Sequence, residues 1–334
     1  MEIKKLSHIA FESYSECNLK CKYCYNHWKR DESEIPFVYS HKKAKKTIQT
    51  LYKQTDVKQI SFTGGEPLLN PYIEELILIA KQHNSKVSVI SNGNGRANLD
   101  YTFLKDLNVD LIMFPIHSFS SQIHDTITTI NGSWDKSFES ILNALSLGIY
   151  VVPVIVLTTI NAKDVKETLL FLKSIGLNRI SVNRYNIGGA GISNNEIVLS
   201  HSELRKTFKI INETAKEQNL IISSNVCTPF CIIEPNDFSN ISFGSCGNNQ
   251  YNRPITLDIN GNIRACNHSP IEAGNIYNQN IFEILESDYI KSWNTAKPDY
   301  CKTCLIFDRC FGGCKASSEQ LGLSLNNPDP YLFI

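Results

Sequence analysis

Short apolar, β-branched runs alternate with helix-spaced stretches through the first 220 residues of the chain. The runs HIAFESY (8–14), QISFTGG (59–65), KVSVISNG (86–93), LIMFPIHS (111–118), VVPVIVLT (151–158) and RISVNRY (179–185) predict six strands. Apolar positions at helical spacing predict helices over 42–54, 71–83, 133–148, 162–176 and 200–218, with a short one near Leu99. Ser200 and Glu203 stand in capping-box spacing at the start of 200–218, and Gly148 stops the helix over 133–148. Six β–α units in series predict a parallel sheet, and near-continuous apolar strands predict that both its faces are covered. Periodicity alone leaves a partial barrel and an open doubly wound sheet equally open.

After about residue 220 the pattern changes. Helical periodicity fades, Asn, Ser, Gly and Pro rise, and eight of the eleven cysteines fall between Cys227 and Cys314. RPITLDINGNIRAC (253–266) predicts a β-hairpin with an Asn-Gly turn, and 278–293 predicts one helix. The chain therefore divides into residues 1–220 and 221–334. The second part is poor in apolar periodicity, and bound metal is the natural source of its order.

Composition narrows the function. The chain has 334 residues, with 33 basic and 33 acidic ones, so the basic excess of a nucleic-acid footprint is missing. The basic run HKKAKK (41–46) reads as a solvated helix face. No stretch approaches a membrane span, and MEIKKLSHIAFES has no signal-peptide core. The protein is expected in the cytoplasm, where disulfides are rare. A chain of this size buries about three quarters of its unfolded surface and needs no staples. Its cysteines are better read as metal ligands or catalytic thiols.

Three of them, Cys17, Cys21 and Cys24, follow the first strand as C-x3-C-x2-C. Structural zinc wants four ligands, and His27 stands near enough to be the fourth. Only three thiols lie close, and three thiolates better suit a [4Fe–4S] cube with one iron left open. CNLKCKYC resembles the radical S-adenosylmethionine (SAM) signature, with Tyr23 as its aromatic residue. The resemblance implies a partial (β/α)6 TIM-like barrel. It also implies that the open iron binds SAM, which is cleaved to methionine and a 5′-deoxyadenosyl radical. It assigns SAM contacts to Gly64, Gly65 and Glu66 in FTGGEP, to Ser91 and Asn92 in the SNG turn, to Ser118 after the fourth strand and to Asn183 after the sixth. Thr128 stands near where some members carry an Arg. His117 is either a pocket group or a satisfied strand-end histidine. The glycine-rich turn in 182–195 lacks phosphate-loop spacing and reads as structural.

The C-terminal cysteines run Cys246, Gly261, Cys266, then C-x2-C-x5-C-x3-C at Cys301, Cys304, Cys310 and Cys314. Zinc ribbons remain an alternative. The order is similar to the SPASM domain, which carries two auxiliary [4Fe–4S] clusters. That resemblance assigns Cys246, Cys266 and Cys314 to the first, with Cys231 as fourth ligand, and Cys301, Cys304 and Cys310 to the second. No cysteine follows Cys314, so the second lacks its usual last ligand; Cys227, Asp299, Asp308 or an open iron would fill the place. SPASM members mostly modify peptides or proteins, and the expected function is maturation of a ribosomally made peptide, with a flavodoxin or ferredoxin as electron donor. Sulfatase-maturase-like protein oxidation and modification of a small cofactor precursor are the alternatives. The sulfatase-maturing members place an Asp base just after the second SPASM cysteine. Here Asn267 and then His268 stand there, so His117 and His268 are the catalytic candidates. Only seven residues precede the first strand, so a partner or the SPASM face is expected to recognise the substrate.

Overall fold

The computed structural model describes residues 5–29, 38–97 and 99–334. Its strands are β1 (Lys5–Tyr14), β2 (Asp56–Gly64), β3 (Lys86–Ile90), β4 (Leu111–Pro115), β5 (Val151–Leu157), β6 (Arg179–Arg184), β7 (Ile221–Ser224), β8 (Ile241–Phe243), β9 (Pro254–Asp258), β10 (Asn262–Arg264) and β11 (Glu272–Asn275). They form one sheet in the order β11-β10-β9-β1-β2-β3-β4-β5-β6-β7-β8. β1 to β8 run parallel, with a helix before β2 to β7. The two ends of the order do not pair among the described residues, so the architecture is a partial barrel and not a closed one.

The six strands read from the pattern are all present. β7 and β8 are further parallel strands, too short at four and three residues for alternation to reveal. They carry the parallel sheet past residue 220. At the opposite edge β9 joins β1 in parallel, His8 opposite Pro254, so the cysteine-rich region continues the same sheet. β9 and β10 form the expected hairpin; Gly261 takes φ +87° at its turn, where Asp258 Oδ1 accepts from the amides of Asn260 and Asn262. The helix expected over 278–293 is two, Ile281–Leu285 and Asp288–Thr295, because Ser287 caps a new start by accepting from Ile290 N. The helix Ser121–Thr128 escaped notice because its buried face carries His124 and Thr128 beside Ile127. Thr128 is buried there against Ser133 Oγ (2.6 Å) and takes no place in a pocket.

Strand residues alternate between two environments. One face packs Ile9, Phe11, Ile60, Phe62, Val87, Val89, Ile112 and Phe114 into a core with the helices. The other carries His8, Glu12, Ser61 and Ser88, so it is partly polar and differs from the uniformly apolar face expected. His8 Nε2 meets Ser61 Oγ at 2.7 Å, and Ser61 Oγ meets Ser88 Oγ at 2.6 Å.

Burial lowers the His8 pKa to about 4. Below about pH 6.5 the unfolded chain takes up a proton that the folded chain refuses, so stability falls as pH drops towards 4. Chemical denaturation at steps between pH 7 and 4.5 should show His8→Gln losing less stability than wild type, by up to about 3 kcal/mol at the acid end. Parallel curves for the two proteins would contradict this.

Candidate functional site

β1 ends at Tyr14, and the next twelve residues carry Cys17, Cys21 and Cys24 at the C-terminal ends of the strands, where parallel sheets bind their ligands. Neighbouring backbone fixes this loop. Gly65 N donates to Tyr14 O (2.7 Å), Glu66 N to Glu16 O (2.8 Å) and Lys22 N to Ile127 O (3.0 Å). Asn26 Nδ2 donates to Gly64 O (2.8 Å). A Cβ at Gly65 would lie 2.2 Å from Glu16 O, and one at Gly189 would lie 2.3 Å from Asn26 O. Both loops must be glycine because backbone meets backbone there. Gly65→Ala is expected to displace the cysteine loop and lower the iron bound on anaerobic reconstitution by the share that Cys17, Cys21 and Cys24 would hold; full iron content would refute this.

The three thiols are near enough to act on one another electrostatically. Burial raises Cys17 to about 11, with Glu66 and Cys24 adding to it, and burial followed by Cys24 and Cys17 raises Cys21. Asn92 Nδ2 donates to Cys17 Sγ at 3.6 Å and to Asn18 Oδ1 at 3.0 Å. Glu66 is fully buried and accepts from Leu68 N (2.8 Å), Ser91 Oγ (2.8 Å) and Asn92 N (2.5 Å). Burial lifts its carboxyl to about 7 against the pull of those three bonds. Glu66 thus ties the Gly-Gly-Glu turn to the Ser-Asn-Gly turn beside the cysteine loop.

The remaining residues expected at a SAM pocket are engaged with protein. Tyr23 OH lies 2.9 Å from His117 Nε2 and also meets the Cys21 sulfur. Val156 N donates to His117 Nδ1 (3.3 Å), which leaves the proton on Nε2, pointing at Tyr23. His117 is therefore a buried, neutral strand-end histidine with both ring nitrogens satisfied. Ser118 Oγ accepts from Ser120 N at 3.0 Å. Asn183 Oδ1 accepts from Asn225 N (2.7 Å) and Val226 N (3.2 Å), pinning the segment that leads into Cys227.

All eleven cysteines are free thiols, and the eight C-terminal ones fall into two sets. Cys227, Cys246, Cys266 and Cys314 share an apolar cluster with Trp293. Cys231, Cys301, Cys304 and Cys310 line one small cavity. Cys227 thus lies with Cys246, Cys266 and Cys314, and Cys231, expected with that set and only four residues on, lies with Cys301, Cys304 and Cys310. The intervening TPF segment accounts for the divergence, because Ile232 N and Ile233 N both donate back to Pro229 O and turn the chain.

The first set lies among cations. Arg184 and Asp329 are fully buried and paired at 2.5 Å. Arg184 donates to Cys227 O (3.1 and 2.6 Å), and Asp329 Oδ2 accepts from Cys314 N (2.8 Å), so one ion pair holds two of the four thiols. Lys315 is buried, donates to Trp293 O and acts with Arg253 on Cys246. The hydrogen bond from Cys227 and these cations pull the Cys246 thiol down, at the expense of Cys227.

Neither Lys315 nor Arg253 pairs with a carboxylate among the described residues. Buried cations need compensating negative charge, and an anionic cluster held by these four thiolates would supply it. Among the described residues no three Cys, His, Asp or Glu side chains close on one point as a single metal ion requires. The four thiols are of the kind that would hold an iron–sulfur cluster.

His268 lies between the N-terminal loop and this first set. Tyr25 stacks on it at 3.8 Å, and Asn267 Nδ2 donates to Tyr25 OH (2.8 Å). Asn186 accepts from Ser317 Oγ through its oxygen, so its amide nitrogen donates to His268 Nδ1. The proton is thus on Nε2. Burial, with Arg184 and Arg264, holds the His268 pKa near 3. His268 is built to donate a hydrogen bond, and it is a poor general base in this state.

Residues 11–172 match the radical SAM superfamily, and the chain belongs to it. Residues 246–305 match SPASM, an iron–sulfur cluster-binding domain, so the protein is a radical SAM enzyme with a C-terminal SPASM domain. Membership implies iron–sulfur clusters and SAM binding. The chain is 25% identical to the antilisterial bacteriocin subtilosin biosynthesis protein AlbA of Bacillus subtilis, over 96% of this chain and 68% of AlbA. It is 22% identical to the mycofactocin maturase MftC of Mycobacterium tuberculosis, over 96% and 81%. Its fold matches Streptococcus suis SuiB bound to S-adenosylmethionine with a TM-score of 0.76 and 16% identity, covering 99% of this chain and 78% of SuiB. No helix among the described residues is long and apolar enough to cross a membrane.

Proposed function

We propose that this enzyme matures a ribosomally made peptide by abstracting a hydrogen atom from it, in the cytoplasm, with electrons from a flavodoxin- or ferredoxin-like donor. The observation that carries the reading is the thiol arrangement: a trio one ligand short at the strand ends, with two further all-thiol sets beyond it. Cys17, Cys21 and Cys24 would hold the SAM-binding cluster, and Cys227, Cys246, Cys266 and Cys314 the first auxiliary one. A reduced cluster held there would supply the electron for SAM cleavage. The chain's own work is positioning and exclusion of water. Glu66 holds the two turns beside the trio, and Tyr23 and His117 close the wall behind Cys21. Residues 1–220 would form the radical-generating part and 221–334 the auxiliary part.

Peptide maturation is favoured by the likeness to AlbA along nearly the whole chain, and by SuiB, whose fold this chain shares and which has been seen bound to its precursor peptide SuiA. Modification of a small cofactor precursor is the second reading. Sulfatase-type oxidation is disfavoured, because Asn267 donates to Tyr25 and His268 Nδ1 is already accepting.

The test uses anaerobically reconstituted protein, dithionite and SAM, with deuterated synthetic peptides corresponding to short reading frames beside the gene. Methionine and 5′-deoxyadenosine should form, and deuterium should pass to the deoxyadenosine. Cleavage with no deuterium transfer from any such peptide would sink the peptide reading and leave SAM cleavage standing.

A further inference from the structure

The motif read from the sequence leaves the second auxiliary set one thiol short. We propose that Cys231 is the missing ligand, so the second auxiliary cluster is closed by four thiolates, the fourth coming from a loop outside the SPASM motif. The inference rests on the reading that Cys301, Cys304 and Cys310 hold a cluster.

The geometry comes from a turn. Cys231 lines, with Cys301, Cys304 and Cys310, a cavity of about 50 Å³. The peptide just before it is aimed at the same set: Phe230 N donates to Cys310 Sγ at 3.3 Å. The carbonyls on either side of the following peptide bond are gripped from the helix His201–Gln218, where Arg205 donates to Ile232 O (2.5 Å) and Cys231 O (3.0 Å). The loop is thus anchored on both sides of the thiol.

The competing candidates are placed elsewhere. Cys227 hydrogen-bonds with Cys246, and Arg184 holds its carbonyl in the first set. Asp299 pairs with Lys302 at the surface (2.8 Å), and neither it nor Asp308 lines the cavity. Cys231 is also the one thiol of the eleven classed as exposed. Its outer side borders a cleft of about 640 Å³ that includes Arg205, Lys206 and Lys209. The corner held by Cys231 is therefore the corner of this cluster that solvent reaches.

Two measurements on the full chain test the assignment. In the anaerobic holoprotein, Cys231 should resist iodoacetamide despite its exposure, and should be alkylated once the iron is stripped; peptide mass spectrometry reads both. Alkylation of Cys231 in the iron-replete protein overturns the proposal. Iron and sulfide counts on Cys227→Ala, Cys231→Ala and Cys304→Ala give the second test, with Cys231→Ser as the conservative variant. Cys231→Ala should lose roughly one to four irons per chain, as Cys304→Ala does. The loss should add to that of Cys227→Ala, because the two thiols serve different sets. A Cys231→Ala protein with full iron, beside a Cys304→Ala protein that has lost it, overturns the proposal and leaves the second cluster standing. Full iron in Cys304→Ala instead overturns the reading of a second cluster, and the proposal with it. Losses that coincide for Cys227→Ala and Cys231→Ala, and do not add in the double variant, return Cys231 to the first set.

Discussion

Cys24→Ala should abolish SAM cleavage while the two C-terminal thiol sets keep their iron. The substitution removes one of three sulfurs at the trio, and two nearby candidates to replace it are engaged: His27 hydrogen-bonds with Arg264 at 3.3 Å, and Glu66 is occupied by three donors. Loss of an outer-shell partner at a metal site typically costs about 10–100-fold. Loss of a ligand here should exceed that, taking deoxyadenosine formation to the protein-free baseline. Asn92→Ala supplies the comparison. It deletes the donor to Cys17 Sγ and the bond to Asn18, and should slow cleavage by about 10–100-fold without abolishing it. Iron counts and deoxyadenosine yields on the two variants decide the matter. Cleavage by Cys24→Ala at more than a few per cent of wild type would remove the trio from its role.

The largest effect on stability should come from Arg184→Met. It strands the Asp329 carboxyl, which has no exposure to water, and leaves Cys227 O without its two guanidinium donors. Breaking such a buried pair from one side costs about 3–5 kcal/mol. Denaturant unfolding of the anaerobic protein should show that loss, and iron bound by the first C-terminal set should fall with it. Removing both charges, as Arg184→Met with Asp329→Leu, should recover much of the stability, because the uncompensated carboxylate is gone. It should not recover the iron, because Cys227 O and Cys314 N have both lost their anchor. Arg184→Lys cannot offer the two-pronged contact to Cys227 O and should fall between. Equal stability of the single and double variants would show that the ion pair is not the source of the effect.

Much of this was legible in the residues. The six strands and the helix with its Ser200–Glu203 capping box follow from periodicity, because local spacing and tertiary packing agree there. The trio Cys17, Cys21 and Cys24 was legible because its members are close in sequence. What stayed hidden depends on contacts between distant positions. Nothing local says that Cys227 and Cys231, four residues apart, face different sets; Pro229 and the grips of Arg184 and Arg205 decide that. Arg184 and Asp329 are separated by 145 positions, and a lone Arg at a strand end carries no pattern. The role expected of Asn183 came from the family resemblance and that of His117 from its place at a strand end, and their bonds to Asn225, Val226, Tyr23 and Val156 are visible only in three dimensions. The polar row His8, Ser61 and Ser88 breaks the apolar expectation because each member satisfies the next, which composition cannot show.

The parallel seam between β1 and β9 bears on how the molecule is made. A ribosome emits His8 long before Pro254, so the first strand must wait, with one flank bare, until its partner arrives. Pairings between positions so far apart in sequence form slowly. A nascent chain halted before β9 would show an unprotected edge beside Cys17, Cys21 and Cys24, and cluster insertion ought to come after that seam is zipped.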